Sequence, residues 1–240
     1  MAEKKKAIVI GASSGIGREL VKVLYEHGYA VGITARREEM LKELAGELSG
    51  DVFVQRMDVA NSFEAIGLLE KLIEKMGGVD LVVVNAGAGF HNPDMDWVLE
   101  KNTIDINVSG FAAMANTAMR YFLKKGSGHL VGVSSVIALR GGSSAYSATK
   151  AFVSNYLEVM RHKAIKSGLP ITVTEIAPGF VRTAMVEGGK LFWAASPRKA
   201  AEQIFDAIKN KRNHAYITRR WRIVAWALKI IPGRFLAKFF

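Results

Sequence analysis

The chain has 240 residues, of which 50% are hydrophobic and 23% charged. That size supports one large domain with a full core, and that composition excludes a disordered chain. Cysteine is absent, which excludes disulfides and thiolate chemistry and agrees with a reducing compartment. The net charge is +11, but nine basic residues and no acidic one lie between Lys209 and Phe240, which leaves only +2 for the remainder. A basic tail on a nearly neutral body is not a nucleic-acid-binding surface, and no nucleic-acid partner is expected. The N-terminal apolar run is too short for a signal peptide, and no apolar stretch reaches spanning length, so a cytoplasmic protein is expected.

Ala7 to Ile10 is a short apolar run that reads as a buried strand. Gly11-Ala12-Ser13-Ser14-Gly15-Ile16-Gly17 follows, then a helical pattern to about His27. Glycine at 11 permits a tight turn, at 15 a close approach of backbone to phosphate, and at 17 close helix–strand packing. The helix N-terminus then offers free N–H groups to a pyrophosphate. The second strand, Ala30 to Thr34, ends in Ala35-Arg36-Arg37. An acidic residue there would hold the ribose hydroxyls of NAD; a neutral residue followed by two arginines suits the 2′-phosphate of NADP(H). The alternative is a solvated arginine pair opening the helix Glu38 to Leu48.

Strand three, Val52 to Met57, ends in Asp58-Val59. Asp58 either faces an adenine edge or caps a turn. A helix from Asn61 or Ser62 to Met76 closes on Gly77-Gly78, and strand four, Asp80 to Val84, ends in Asn85-Ala86-Gly87-Ala88-Gly89. From about Pro93 to Lys124 the pattern is helical, with Asn107 in an apolar interior, where asparagine is mildly unfavourable. His129 to Val133 is strand five and leads into Ser134-Ser135. The next helix runs from Tyr146 to about Lys166, and strand six, Ile171 to Ala177, ends in Pro178-Gly179-Phe180-Val181-Arg182-Thr183. A helix from Pro197 to Asn210 starts on proline, and Ala215 to Thr218 forms a last short strand. Continuous apolar strands alternating with helices predict an α/β fold, a doubly wound parallel sheet of about seven strands in a single domain. Ligands bind outside the carboxyl ends of such strands, where every glycine or polar cluster above falls.

Tyr146 and Lys150 are four residues apart and share a helix face. A lysine ammonium beside a phenol favours the phenolate, which a phenol needs in order to act as an acid/base near neutral pH. A serine hydroxyl from the preceding strand end can bond a substrate carbonyl.

Together, Gly11-x3-Gly15-x-Gly17, Asn85-Ala86-Gly87, Asn107, the strand-end serine, Tyr146-x3-Lys150 and Pro178-Gly179 with Thr183 resemble the short-chain dehydrogenase/reductase family, over roughly residues 6–218. The resemblance implies a Rossmann-like, NAD(P)-dependent oxidoreductase that moves a hydride between a nicotinamide and a carbonyl or alcohol carbon of a small-molecule substrate. It implies that Tyr146 is the proton donor, that Lys150 lowers its pKa and holds the nicotinamide ribose, and that the serine positions the carbonyl. It makes Asn107 a catalytic residue that loosens its helix and holds a water relaying protons to Lys150. The implied cofactor-binding set is Gly11, Ser13, Ser14, Gly15, Ile16, Gly17, Arg36, Arg37, Asp58, Val59, Asn85, Ala86, Gly87, Tyr146, Lys150, Pro178, Gly179, Val181 and Thr183, with no metal. Asn85 supports the adenosine pocket and Thr183 bonds the carboxamide. A homodimer or homotetramer through helices near 100–124 and 146–166 is expected.

Three departures stand out. Ser135 is eleven residues before Tyr146, two closer than the family's usual serine, so the loop Val136–Ala145 is short. Ser135 is the expected catalytic serine and Ser134 the alternative. Ile10 stands where the family often has threonine. The family's NADP-selecting basic residue before the second loop glycine is replaced by Ser14. The rival to an enzyme is a nucleotide-binding scaffold without turnover, against which the set Asn107, Ser135, Tyr146 and Lys150 argues. Residues 184–196 should form the substrate loop.

Residues 219–240 are expected to be a basic amphipathic extension of the catalytic domain 1–218. Arg222 and Lys229 share one face, Trp221, Val224, Leu228 and Ile231 form an apolar stripe, and a second short piece follows Pro232-Gly233. The stripe either lies in a membrane interface, at the inner face of a membrane and with a lipophilic substrate, or packs over the pocket or a neighbouring subunit.

Overall fold

The computed structural model describes residues 4–90, 92–142, 144–183 and 192–232. Seven strands, β1 (Lys6–Ile10), β2 (Ala30–Ala35), β3 (Val52–Arg56), β4 (Leu81–Val84), β5 (Gly128–Val133), β6 (Ile171–Pro178) and β7 (His214–Ile217), form one parallel sheet in the order β3-β2-β1-β4-β5-β6-β7. Its inner strands are largely apolar because both faces are covered. Ala7 and Val9 point to the layer of α1 (Gly15–Glu26), α2 (Glu38–Glu47) and α7 (Pro197–Lys209). Ile8 and Ile10 point to that of α3 (Ser62–Lys75), α5 (Phe111–Lys125) and α6 (Ala145–Ser167). The strand order reverses between β1 and β4, whose registers pair Ile10 with Val84. The glycine-rich loop after β1 and the Asn85-Ala86-Gly87 loop after β4 therefore straddle the topological switch point, where such sheets bind ligands.

The helix expected from Pro93 instead begins at Trp97. Asn92 Oδ1 accepts from the Asp96 N–H at 2.8 Å, and the Asp96 carboxylate accepts from the Val98 N–H at 2.7 Å. The chain is thus held in a capped turn before α4 (Trp97–Ile104). The expected loosening at Asn107 is a π turn, Asp105–Gly110, between α4 and α5. Ser135 caps the Ile137 N–H, Ser144 the Tyr146 N–H and Ser196 the Lys199 N–H, with Pro197 in the first turn of α7.

Of the two alternatives for the tail, a stripe in a membrane interface or one packed on the protein, the second holds for most of the stripe. Within α8 (Trp221–Ile230), Trp221 is buried, and Val224 and Leu228 pack with it against Val136, Leu139 and Tyr216; Ile231, beyond the helix end, is exposed. Most of that stripe is therefore an internal face. The reason is the short 3-10 turn Val136–Leu139 after Ser135, which presents apolar side chains that α8 covers. Arg140 fixes the other end: its guanidinium donates to the carbonyls of Leu228, Lys229 (2.8 Å) and Ile231 (3.1 Å), which satisfies the helix C-terminus and opposes its dipole. The second amphipathic piece, 233–240, lies outside the described residues. None of the helices among the described residues is long and apolar enough to cross a membrane.

The seat of Trp221 is Gly179: a Cβ there would stand 2.1 Å from the indole ring. Gly179→Ala should therefore unseat α8 and destabilise the fold by about 1–3 kcal/mol, the cost of an overpacked contact. Urea unfolding, together with faster proteolysis after residue 218, measures it; an unchanged midpoint would mean that α8 is not held there.

Candidate active site

Among the residues that line the crevice at the carboxyl ends of the strands are Gly11, Ser13, Ser14, Gly15, Ile16, Arg36, Arg37, Asp58, Val59, Asn85, Ala86, Gly87, Ser134, Ser135, Tyr146, Lys150, Pro178, Gly179, Val181 and Thr183. Of the residues singled out from sequence, Gly17 and Asn107 lie behind its wall. Gly17 has a packing reason: a Cβ there would meet the Gly11 carbonyl oxygen at 2.0 Å, so only glycine lets α1 sit on the loop. Gly11 (φ +90) would put a Cβ 2.6 Å from the Ala86 nitrogen. Asn85 Nδ2 donates to the Gly11 carbonyl at 2.8 Å and ties the two loops together.

This end of the crevice fits a dinucleotide. Ser14 stands at the N-cap of α1 without a side-chain cap bond, so the first-turn N–H groups are left for an external acceptor. Arg37 reaches back from the end of β2, its Nη2 donating to Ser13 Oγ at 2.9 Å and Ser14 Oγ at 2.8 Å. A guanidinium and two hydroxyls thus gather at the rim beside Arg36. Asp58 Oδ1 accepts from the Ala60 N–H at 3.1 Å; it is a turn residue that also lines the crevice.

At the other end, Ser134 and Ser135 diverge. Ser134 is buried, its hydroxyl 2.6 Å from Glu175 Oε1. Both serines line the crevice, but it is the Ser135 hydroxyl that bonds the Tyr146 phenol. Burial pushes the Tyr146 phenol above its ordinary value, and the Ser135 hydroxyl acts in the opposite direction. Lys150 Nζ is 5.7 Å from the Tyr146 ring centre and donates to the Val133 carbonyl at 3.0 Å. Burial lowers the ammonium to a pKa of about 8. The upward direction at Tyr146 thus differs from the depression by lysine expected from the sequence: desolvation outweighs the helpers that surround the phenol. Both amide protons of Asn107 are committed, to the Ala88 carbonyl (2.7 Å) and Thr149 Oγ1 (3.0 Å), while its oxygen accepts from the Ala88 N–H (2.9 Å). Asn107 therefore fastens the π turn to the loop after β4. Gly89 lies under the Tyr146 ring, where a Cβ would come within 2.8 Å.

Sequence reasoning missed three supporting residues. Glu100 accepts from the Ala145 N–H at 2.8 Å and from Asn92 Nδ2 at 2.7 Å, placing a carboxylate at the N-terminus of the helix that carries Tyr146. Nothing in its spacing marks it. Thr149 hides likewise, between Asn107 and the Tyr146 carbonyl. Glu175 is a lone acid in an apolar strand, a signal that could have been read. Burial raises its carboxyl, but His214, Ser134 and Ser154 outweigh this and hold it at about 2. Among the described residues no group of His, Asp or Glu is arranged to hold a metal ion.

A family model described as short chain dehydrogenase matches residues 5–191. An oxidoreductase of Staphylococcus epidermidis is 30% identical over 210 residues, covering 86% of this chain and 90% of that protein. Among solved structures, ElxO with NADP bound has a TM-score of 0.80 at 20% identity, covering 90% of this chain and 97% of the other. The 3-ketoacyl-(acyl-carrier-protein) reductase of Brucella melitensis complexed with NADH has a TM-score of 0.79 at 20% identity, covering 91% and 99%.

The buried ammonium carries a stability prediction. The Lys150 value of about 8 lies below the ordinary 10.5, so the charged form opposes folding at pH 7, and the opposition fades as pH rises from about 8 towards 10.5. Lys150→Met should therefore be more stable than the parent at pH 7, by on the order of 2 kcal/mol, and less so at pH 10. Urea midpoints at the two pH values test this. A loss of stability at pH 7 would mean that the bond to Val133 outweighs desolvation.

Proposed function

Because the chain belongs to the short-chain dehydrogenase family of NAD(P)-dependent oxidoreductases, we propose that it interconverts a carbonyl and an alcohol with NADP(H) preferred over NAD(H). The observation that carries the reaction class is the pairing of the Ser135 and Tyr146 hydroxyls at one end of a crevice whose other end is a glycine loop open to phosphate. The two serine contacts of Arg37 support the cofactor preference, since a guanidinium with two hydroxyls suits a 2′-phosphate and offers little to a bare ribose diol.

NADPH, when bound, supplies the hydride. Tyr146 gives its phenolic proton to the carbonyl oxygen, and Ser135 Oγ bonds the same oxygen and stabilises the charge that builds on it. The phenol is protonated at neutral pH, the form a reductase needs, and burial reinforces this. Lys150 then faces a developing phenolate with a cation whose proton is exchangeable near pH 8, and it holds the nicotinamide ribose. Asn107 serves the proton relay towards Lys150 from its main chain in the π turn, since its amide protons are already committed. Asn85 and Thr183 support the adenosine and carboxamide ends.

A lipophilic carbonyl compound is the substrate class that goes with a membrane contact of the extension. The reading extends to a catalytic domain of residues 1–218 with 219–240 as its extension. It extends also to a homodimer or homotetramer through α5 and α6, and to a peripheral membrane contact of the extension.

Tyr146→Phe should lower kcat by about a hundredfold or more with NADPH affinity intact; unchanged turnover would refute the mechanism. Arg37→Ala should raise KM for NADPH by about 10- to 100-fold, the worth of charge-assisted hydrogen bonds, and leave KM for NADH unmoved. Equal effects on both cofactors would remove the preference.

A further inference from the structure

We propose that the outward face of α8 is a docking surface for an anionic lipid bilayer. This rests on the peripheral contact proposed above and names the residues that make it, a different set from the apolar stripe legible in the sequence. With the inner face occupied by Trp221, Val224, Ala225 and Leu228, the helix still carries Ile223, Trp226 and Ile230 outward, 65%, 67% and 59% exposed. Their spacing of three and four puts them in one stripe. A helix apolar on both faces at a protein surface marks a second contact. Arg222 and Lys229 are exposed on the same helix. At its N-terminal end, Phe192 and Trp193 stack in the open, and the Arg220 guanidinium lies 5.2 Å from the centre of the Trp193 ring.

Charge decides the occupant. No acidic residue occurs after Asp206, and Asp206 itself is paired with Arg212 and Arg219. A second copy of this chain docked face to face would bring Arg222 and Lys229 against their own like charges. An anionic bilayer satisfies both features: isoleucine and tryptophan enter the boundary between headgroups and acyl chains, while arginine and lysine extend to the phosphates. The matched family segment ends at residue 191, before α8 begins. Because Trp221 rests on Gly179 and Arg140 caps the helix, docking would hold the substrate end of the crevice at the lipid surface.

The test uses the full chain, since truncation at Thr218 would also unseat Trp221. Co-flotation is measured with vesicles of phosphatidylcholine alone and mixed with phosphatidylglycerol. The expected result is binding only to the anionic vesicles, weakened by salt. It should fall at least tenfold in Ile223→Ser/Trp226→Ser/Ile230→Ser while NADPH affinity and thermal midpoint are kept. Should that variant fold poorly, Trp226→Phe replaces it: the parent-minus-variant difference, which isolates the emission of Trp226, should shift to the blue on vesicle binding. No flotation of the parent overturns the membrane contact itself. Flotation unchanged in the triple variant, or an unchanged emission difference, overturns the assignment of this face. Self-association abolished by the triple variant, without lipid binding, assigns the face to a second copy and overturns the proposal. None of these readouts requires turnover, so they are separable from the oxidoreductase reading.

Discussion

Lys150 places an ammonium where, among the described residues, no other charged side chain is fully buried, and the reacting end is arranged around that fact. A buried cation needs acceptors and close walls. It has the Val133 carbonyl at the end of β5, and a wall formed by Gly87, where a Cβ would stand 3.1 Å from Nζ and 3.3 Å from Asn107 Oδ1. Asn107 sits in the π turn and bonds both the N–H and the carbonyl of Ala88. The lysine, the glycine loop after β4 and the irregular helix are one constraint seen from three elements. Desolvation lowers the ammonium to about 8 and raises the phenol of Tyr146. Burial thereby reverses the ordinary order and widens the gap: the phenol holds its proton more tightly than the ammonium does, so a phenolate formed at Tyr146 finds in Lys150 a ready proton donor.

Two carboxylates stand behind this arrangement without entering it. Glu100 takes an N–H at the start of α6 and so fixes the helix that presents Tyr146. Glu175 takes the hydroxyls of Ser134 and Ser154 and faces His214, so it joins the ends of β5 and β6 to α6. The Ser134 hydroxyl is thereby turned inward, and that of its neighbour Ser135 is left to Tyr146, because successive residues of an extended chain point to opposite sides. The shortened loop that made the choice of serine ambiguous has no bearing on that alternation.

What the sequence shows most clearly is what local physics dictates. Apolar strand runs, the glycines at 11, 15 and 17, and the four-residue spacing of Tyr146 and Lys150 each report a backbone or helix-face requirement that needs no knowledge of the rest of the chain. The crevice followed from these because parallel sheets put their ligands at strand ends. Pairings over long sequence separations were not legible: Glu100 with Ala145, Arg37 with Ser13 and Ser14, and Arg140 with the end of α8 depend on which loops the fold brings together. The Pro93 boundary failed for a subtler reason, since the Asn92–Asp96 bonds that delay the helix compete with a periodicity that continues through them. The upward direction at Tyr146 was not legible because burial is a property of the fold, not of the spacing of Tyr146 and Lys150.

The tail illustrates how one amphipathic pattern can conceal two faces. Trp221, Val224 and Leu228 read as a single stripe, and the usual inference gives a surface helix one apolar side. Here the body claims that side, because the short loop after Ser135 leaves Val136 and Leu139 in need of cover, and α8 supplies it under the clamp of Arg140. The short loop and the packed tail are thus complementary parts of one wall, with Gly179 yielding the space in which Trp221 joins them. The apolar residues that remain outside, Ile223, Trp226 and Ile230, contribute nothing to that wall. Their exposure among basic neighbours calls for an explanation outside the body of the protein.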